Sequence, residues 1–321
     1  IEDSMGFLAF YDQKVNAGVG FQTMGDFDKL PSYLTLRPGY ETLSDTLARQ
    51  IADMGGRILL GHHVDGFDFD ARDRALLEVR AHIGIGHTTT FTCPQLVLAL
   101  PSRPLELLSP QCPPLRDNAR LMADIRSVTT MPLTKINLYF AKRWWFNDHT
   151  IAAGGSFTDL PMAQFYCYWP IAPNDEKGPA SMTIYCDFDR TTYWEELQSM
   201  GKPFAPTDGL AQPPHSTAAS TFVVEQAMRQ LGEVFGDPAL PEPLLSTYVR
   251  WGSPQFGDGD HSWVVGADDK SIAQRLQNPI AGKLYICGEA YSDEQAWVDG
   301  ALRSTETVLQ GCFGLPPYEV G

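Results

Sequence analysis

The residues best placed to do chemistry lie late in the chain. Leu284-Tyr285-Ile286-Cys287 runs into Gly288-Glu289, and Gln295-Ala296-Trp297-Val298-Asp299-Gly300-Ala301 follows. The first stretch reads as a short buried strand, the second as a helix start with Trp297 and Val298 on its first turn. Such a strand–Gly–Glu–loop–helix start turns unpaired backbone N–H groups and the positive end of the helix dipole toward an anionic group. Gly300 and Ala301 are small, so the helix backbone can approach a large flat ligand closely. An ordinary buried strand and helix sharing a Gly-Glu turn would look the same, and the segment alone does not separate the two readings.

Other candidates are scattered. Lys135 stands at the start of a strand, between Thr134 and Ile136, where a lone lysine is ordinarily solvated. Tyr185 shares one face of an alternating strand with Thr183; the ordinary role there is a core tyrosine with a satisfied hydroxyl. Trp251 opens a Trp-Gly-Ser-Pro stretch, and Val64 sits in an apolar strand. His62 and His63 are adjacent on a strand and so point to opposite faces, which keeps them from sharing one ion. Together with His261 they read as surface or turn histidines. The six cysteines show no Cys-x-x-Cys pair and no metal-type spacing, so no metal is expected. Gly84-Ile85-Gly86 lacks the third glycine and the following helix of a dinucleotide loop, and G-x-G-x-x-G occurs nowhere in the sequence.

The elements that must position these residues fall into two styles. Met5, Phe7, Leu8 and Tyr11 are at helical spacing, and Glu41 to Met54 reads as an amphipathic helix with Leu43, Leu47 and Ile51 inward, ended by Gly55-Gly56. Ile58–Leu60 and Val64–Phe69 read as strands, and Ala75–Ile83 pairs with the second as a meander. Gln95–Pro101 is apolar almost throughout, which predicts a strand buried on both faces. Pro101, Pro104, Pro110, Pro113 and Pro114 mark a linker. From Ile136 the pattern changes to alternation: Ile136–Phe140, Gln164–Trp169 and Ser181–Asp187 read as strands of a largely antiparallel sheet with one covered face. Ser216–Phe235 reads as a helix and Leu244–Trp251 as a strand, after which 283–287 returns to the buried-strand style.

Composition narrows the function classes. The 321 residues suffice for two domains and a substantial core. The formal net charge of −15, with no basic cluster, argues against nucleic acid, whose binding rests on neutralising phosphates. No apolar run approaches the ~20 residues needed to span a bilayer, so no membrane partner is expected. The chain starts Ile1-Glu2-Asp3-Ser4 rather than with Met, which reads as a cut site or a later fragment of a longer product.

Taken in order, Asp28-Lys29-Leu30, Glu41-Thr42-Leu43, Val64-Asp65-Gly66-Phe67, Leu98-Ala99-Leu100-Pro101, Thr134-Lys135-Ile136, Trp144-Trp145, Tyr185, Trp251, Gly288-Glu289 and Trp297-Val298 resemble the latter part of a flavin-dependent L-amino-acid oxidase of the amine oxidase superfamily. The resemblance covers nearly the whole chain. It implies a fold of α/β and α+β type, in which part of a Rossmann-like FAD-binding domain is interleaved with a mostly antiparallel substrate-binding domain. The implied division is the end of a helical insert (1–27), the middle segment of the FAD-binding domain (28–131), the substrate-binding domain (132–282) and the C-terminal FAD-binding segment (283–321).

The resemblance also implies site roles. Lys135 reaches a water near flavin N5 and is the catalytic residue. Tyr185 binds the substrate carboxylate, the Ala296 carbonyl accepts from the substrate amine, and Trp297 walls the substrate side of the flavin. Gly288 and Glu289 face the pyrophosphate and ribitol of FAD, the Val298 N–H meets the flavin edge, Trp251 lies near the flavin, and the Val64 backbone meets the adenine. Two departures stand out: the family usually has glycine where Ala296 stands and glutamate where Asp299 stands. The implied reaction is oxidation of an amino acid by oxygen to a 2-oxo acid, ammonia and peroxide; an amino-acid 2-monooxygenase, a polyamine or amine oxidase, and a non-catalytic structural subunit are the alternatives. The family's diphosphate loop lies upstream, so partner chains supplying that segment, a hetero- or homo-oligomeric assembly and a secreted or extracellular location are expected, with the cytoplasm as the alternative.

Overall fold

Alternation is what builds the larger sheet. In β6 (Leu133–Phe140) every second residue is buried, Ile136, Leu138 and Phe140 among them. Successive strand side chains point to opposite faces, so this pattern commits one face to a core. A computed structural model describes residues 36, 39–72, 74–81, 88–151, 154–170, 178–188, 190–207, 210–252 and 259–317. Within them β6 is flanked by β10 (Leu245–Arg250) and β9 (Ala180–Asp187), followed outward by β8 (Gln164–Pro170) and β7 (Gly154–Phe157), all antiparallel. Beneath lies a core that includes Trp144 and Trp145 of α5 (Trp144–Asn147) and Trp194 of α6 (Arg190–Met200). Helix α7 (Thr221–Phe235) adds Val223, Val224, Ala227 and Leu231. Its start is fixed by Ser220, which accepts from the Val223 N–H, and its end by Gly236 at φ +65°.

A second core gathers elements far apart in sequence. β4 (Leu96–Leu98) pairs in parallel with β12 (Leu284–Ile286), and α2 (Ser102–Leu108), α3 (Pro113–Arg116), α4 (Ala119–Ile125) and α8 (Asp269–Gln277) contribute Leu105, Leu115, Ile125 and Leu276. Asp124 on α4 takes a two-pronged ion pair from Arg275 on α8, at 2.7 Å to each oxygen. A three-stranded meander, β1 (His62–Phe69), β2 (Ala75–Ala81) and β3 (Thr88–Cys93), inserts Phe67 into this core. Two further strands, β5 (Val128–Met131) and β11 (Asp260–Trp263), pair with each other and add Val128 and Trp263 to this core. The chain closes with α9 (Val298–Phe313). The result is a mixed α/β structure with antiparallel sheets.

Several expectations are corrected. Helix α1 (Glu41–Asp53) forms, but none of its residues is buried, and Leu43, Leu47 and Ile51 are exposed. Periodicity identifies an apolar face; it does not supply a partner. Ile58–Leu60 is not a strand: none of the described strands pairs with it. In β4, Val97 is open while Leu96 and Leu98 are buried, so only one face is covered. The proline-rich linker is helical, since proline fits the first turn of a helix. Residues 1–27, Asp28-Lys29-Leu30 and Gly84-Ile85-Gly86 lie outside the described residues.

Candidate active site

Register places the first group of candidate residues. On the β6–β9 ladder Lys135 faces Tyr185 and Asn137 faces Thr183. On β8, Gln164 and Tyr166 stand opposite Tyr185 and Thr183, and on β10 Val249 and Thr247 stand opposite Lys135 and Asn137. Because Ile136, Leu138 and Ile184 occupy the core face, these residues all emerge on the other. The Lys135 amine lies 5.4 Å from the centre of the Tyr185 ring, within reach of a cation–π contact. Asn137 braces the row by donating to Thr247 Oγ1 at 2.8 Å and accepting from Thr183 Oγ1 at 2.6 Å.

Burial tunes both groups. It pulls the Lys135 amine below the usual lysine value and pushes the Tyr185 phenol well up, with the charges of Asp260 and Asp187 acting in the same direction. A lysine more easily deprotonated beside a phenol held protonated gives one group that moves a proton and one that donates a hydrogen bond.

The second group sits at the end of β12. Gly288 takes φ +136°, open to glycine and strained for other residues, and a short 3₁₀ turn, Glu289–Tyr291, follows. The Glu289 carboxylate accepts from the His261 N–H at 3.1 Å, from the Ala296 N–H at 2.6 Å and, through its second oxygen, from His261 Nδ1 at 2.8 Å. A carboxylate only accepts, so Nδ1 carries the proton. Gln295 accepts from the Trp263 N–H at 2.9 Å and donates to the Ala290 carbonyl at 2.6 Å. Ala296 takes φ +69°, and Trp297 then heads α9 with no side-chain cap. The first helical N–H groups lack an intrahelical acceptor, and Trp297 is 51% exposed.

Two expectations change here, for His261 and Gly300. His261 is no surface or turn histidine: it is 1% exposed, on β11, fastened to Glu289. The Glu289 carboxylate is satisfied inside the chain, and the Gly288 N–H donates to Ser304 Oγ at 3.1 Å. The small size of Gly300 serves the Ser292 hydroxyl and Glu294 carbonyl, where a Cβ would collide, rather than a flat ligand. Asp293 and Glu294 pair with Arg303 on α9.

The two groups adjoin, since Asp260, whose charge acts on Tyr185, directly precedes His261. Trp251 lies nearby in the fold, with its N–H donated to the Leu133 carbonyl at 2.8 Å and its side chain 54% exposed. Val64 is placed elsewhere, on β1, which packs on β2 and α3. The roles of His261 and Gln295 went unread in the sequence because no spacing rule connects residues 28 and 32 positions away from their partners.

Residues 2–308 match the family model for flavin containing amine oxidoreductases, and the chain belongs to this family; its cofactor is accordingly a flavin, typically FAD. A protein of Acanthamoeba polyphaga mimivirus is 21% identical over 239 residues, covering 72% of this chain and 42% of that protein. A Bacillus subtilis protein named as a proposed L-amino-acid oxidase is 23% identical over 195 residues, 60% of this chain and 35% of its own length. Lysine-specific histone demethylase 1 homolog 3 of Arabidopsis thaliana is 28% identical over 114 residues, 34% of this chain and 7% of the relative. The chain thus spans less than half the length of each of these relatives.

The residues present fit a flavin at its ring. The N-terminus of α9, without a side-chain cap, would suit an electron-rich ring edge, and the exposed Trp297 beside it would offer an aromatic wall.

Proposed function

We propose that this chain is the later portion of an FAD-dependent oxidase that deaminates an L-amino acid to a 2-oxo acid, ammonia and hydrogen peroxide. The observation that carries the reading is the pairing of Lys135 with Tyr185 across adjacent strands, on the sheet face opposite the core. The flavin, when bound, supplies the two-electron chemistry, accepting a hydride equivalent from the α-carbon and reducing oxygen. Tyr185, kept protonated by its surroundings, donates its hydroxyl to the substrate carboxylate. Lys135 handles a proton at Nζ, directly or through a water. The Ala296 carbonyl orients the amine, Trp297 and Trp251 exclude water from the ring, and the Val298 N–H meets its edge. Val64 on β1 serves the adenine end through its backbone.

The parallel β4–β12 pair supports a Rossmann-like half completed by an upstream segment. On this reading that segment arrives on another part of the product or another chain of a processed, oligomeric and secreted enzyme. A second reading, amine oxidation, draws on Asp187 and Asp260, whose negative charge near Tyr185 suits a cationic substrate.

The test uses intact, natively purified protein: a denaturing gel, a visible spectrum, then product analysis with amino acids and with polyamines. Flavin bands, a second polypeptide and 2-oxo acid support the proposal. An amide product would make the enzyme a monooxygenase, and turnover of amines alone would select the second reading. A colourless single chain without activity would leave a structural subunit.

A further inference from the structure

β11 has one edge on β5 and one edge without a strand among the described residues. The Val264 N–H reaches the Ser127 carbonyl at 2.9 Å, so alternation turns the N–H groups of Ser262 and Asp260 the same way and those of His261 and Trp263 outward. Both outward N–H groups end on side chains of the turn after β12: His261 on Glu289 and Trp263 on Gln295. Trp263 adds a bond from Nε1 to the Ser292 carbonyl at 3.2 Å. Two side chains therefore occupy the place of a strand along this edge. The same Glu289 oxygen that takes the His261 N–H also takes that of Ala296, an L-residue in the left-handed region at φ +69°, which favours glycine.

We infer that Glu289 is a positioning residue: it locks the left-handed turn at Ala296 against β11 and so sets the direction of Trp297 and the open N-terminus of α9. The role given to Trp297 beside the cofactor rests on the function proposed above; the clamp does not. Glutamine at position 289 keeps the oxygen shared by the two N–H groups and lets His261 answer its NH₂ with the other tautomer, whereas leucine keeps the bulk and offers no acceptor to any of the three donors. The turn then loses its anchor while the remainder of the fold keeps its contacts.

The test labels the intact protein with 5-fluorotryptophan and assigns the Trp297 fluorine resonance with Trp297→Phe. Glu289→Leu is expected to shift or broaden the Trp297 resonance while those of Trp144 and Trp194, buried in the other core, stay in place. Adding Ala296→Gly, which removes the strain, is expected to return it part of the way. Should Glu289→Leu fail to fold, Glu289→Asp, with its carboxylate drawn back by one methylene, is expected to give the same shift to a smaller degree. An unmoved Trp297 resonance in a folded variant, with only a lowered Tm, would overturn the clamp. FAD titration of the apoprotein is expected to show about tenfold weaker binding, the loss of one charge-assisted hydrogen bond. A displaced Trp297 with unchanged FAD affinity would support the clamp and count against the flavin-side role of Trp297.

Discussion

The two halves of the candidate site are held by different means. On the sheet, Lys135 and Tyr185 are placed by backbone register, with ladder bonds running along β6 and β9 and apolar neighbours locking the opposite face. At the turn, Ala296 and Trp297 are placed by the carboxylate of Glu289 and the amide of Gln295. A substitution on the sheet face should therefore remove a function and leave the geometry. A substitution at the turn should move geometry first. A ladder of backbone bonds survives the exchange of one side chain, whereas a loop held by few side chains transmits the loss of any of them.

The largest effect that would sharpen this contrast is on Lys135. Lys135→Met is expected to lower kcat by about 10²–10⁴-fold, the usual worth of a positioned acid or base, with near-UV circular dichroism unchanged. Its sign in stability is opposite. Burial lowers the folded-state value of this lysine, so the unfolded chain binds more protons, and stability rises with pH between the folded value and the ordinary one of 10.5. Below that window the charged lysine is the poorer occupant, so Lys135→Met is expected to be the more stable protein at neutral pH, by an advantage that shrinks as pH climbs through the window. Denaturant titrations at several pH values check this. An advantage that grows with pH would refute the burial argument.

Next comes the core beneath the sheet. Leu231→Ala, on a fully buried face of α7, is expected to cost about 2–5 kcal/mol, whereas Leu47→Ala on α1, where nothing is buried, should fall within about 0.5 kcal/mol. Equal losses would mean that α1 is covered. Tyr185→Phe comes third: steady-state kinetics should show KM for an amino acid rising roughly tenfold or more, as expected for a hydrogen bond to a charged group, with kcat and amine turnover little changed. The smallest is Ala296→Gly, expected to stabilise by about 1 kcal/mol by relieving the left-handed alanine, read as a higher midpoint in urea.

Much of the sheet half was legible. The alternation of Ile136–Phe140 and Ser181–Asp187 gave strand and face together, and these two facts suffice to bring residue 135 near residue 185 once the strands pair. The turn half was legible only in outline. Leu284–Ile286 and the α9 start follow from local pattern, yet what holds them is a four-residue strand, Asp260–Trp263, too short to declare itself. A histidine in it reads as a surface residue until its partner is known. Ile58–Leu60 erred the other way, since β-branched and leucine-rich runs resemble strands whether or not an edge is available to receive them. The bound cofactor, finally, belongs to the family and not to any spacing within this chain.

The uncovered stripe of α1 has a consequence for handling the chain alone. Leu43, Leu47 and Ile51 point outward, and Ile58, Leu59 and Leu60 are exposed close behind them, on a molecule carrying a net charge of −15. Like charge keeps copies apart while apolar stripes draw them together. Colloidal behaviour should therefore turn on ionic strength: at 0.15 M salt the repulsion reaches only about 8 Å, and light scattering should climb with added sodium chloride and again as the pH nears the isoelectric point of about 4.8.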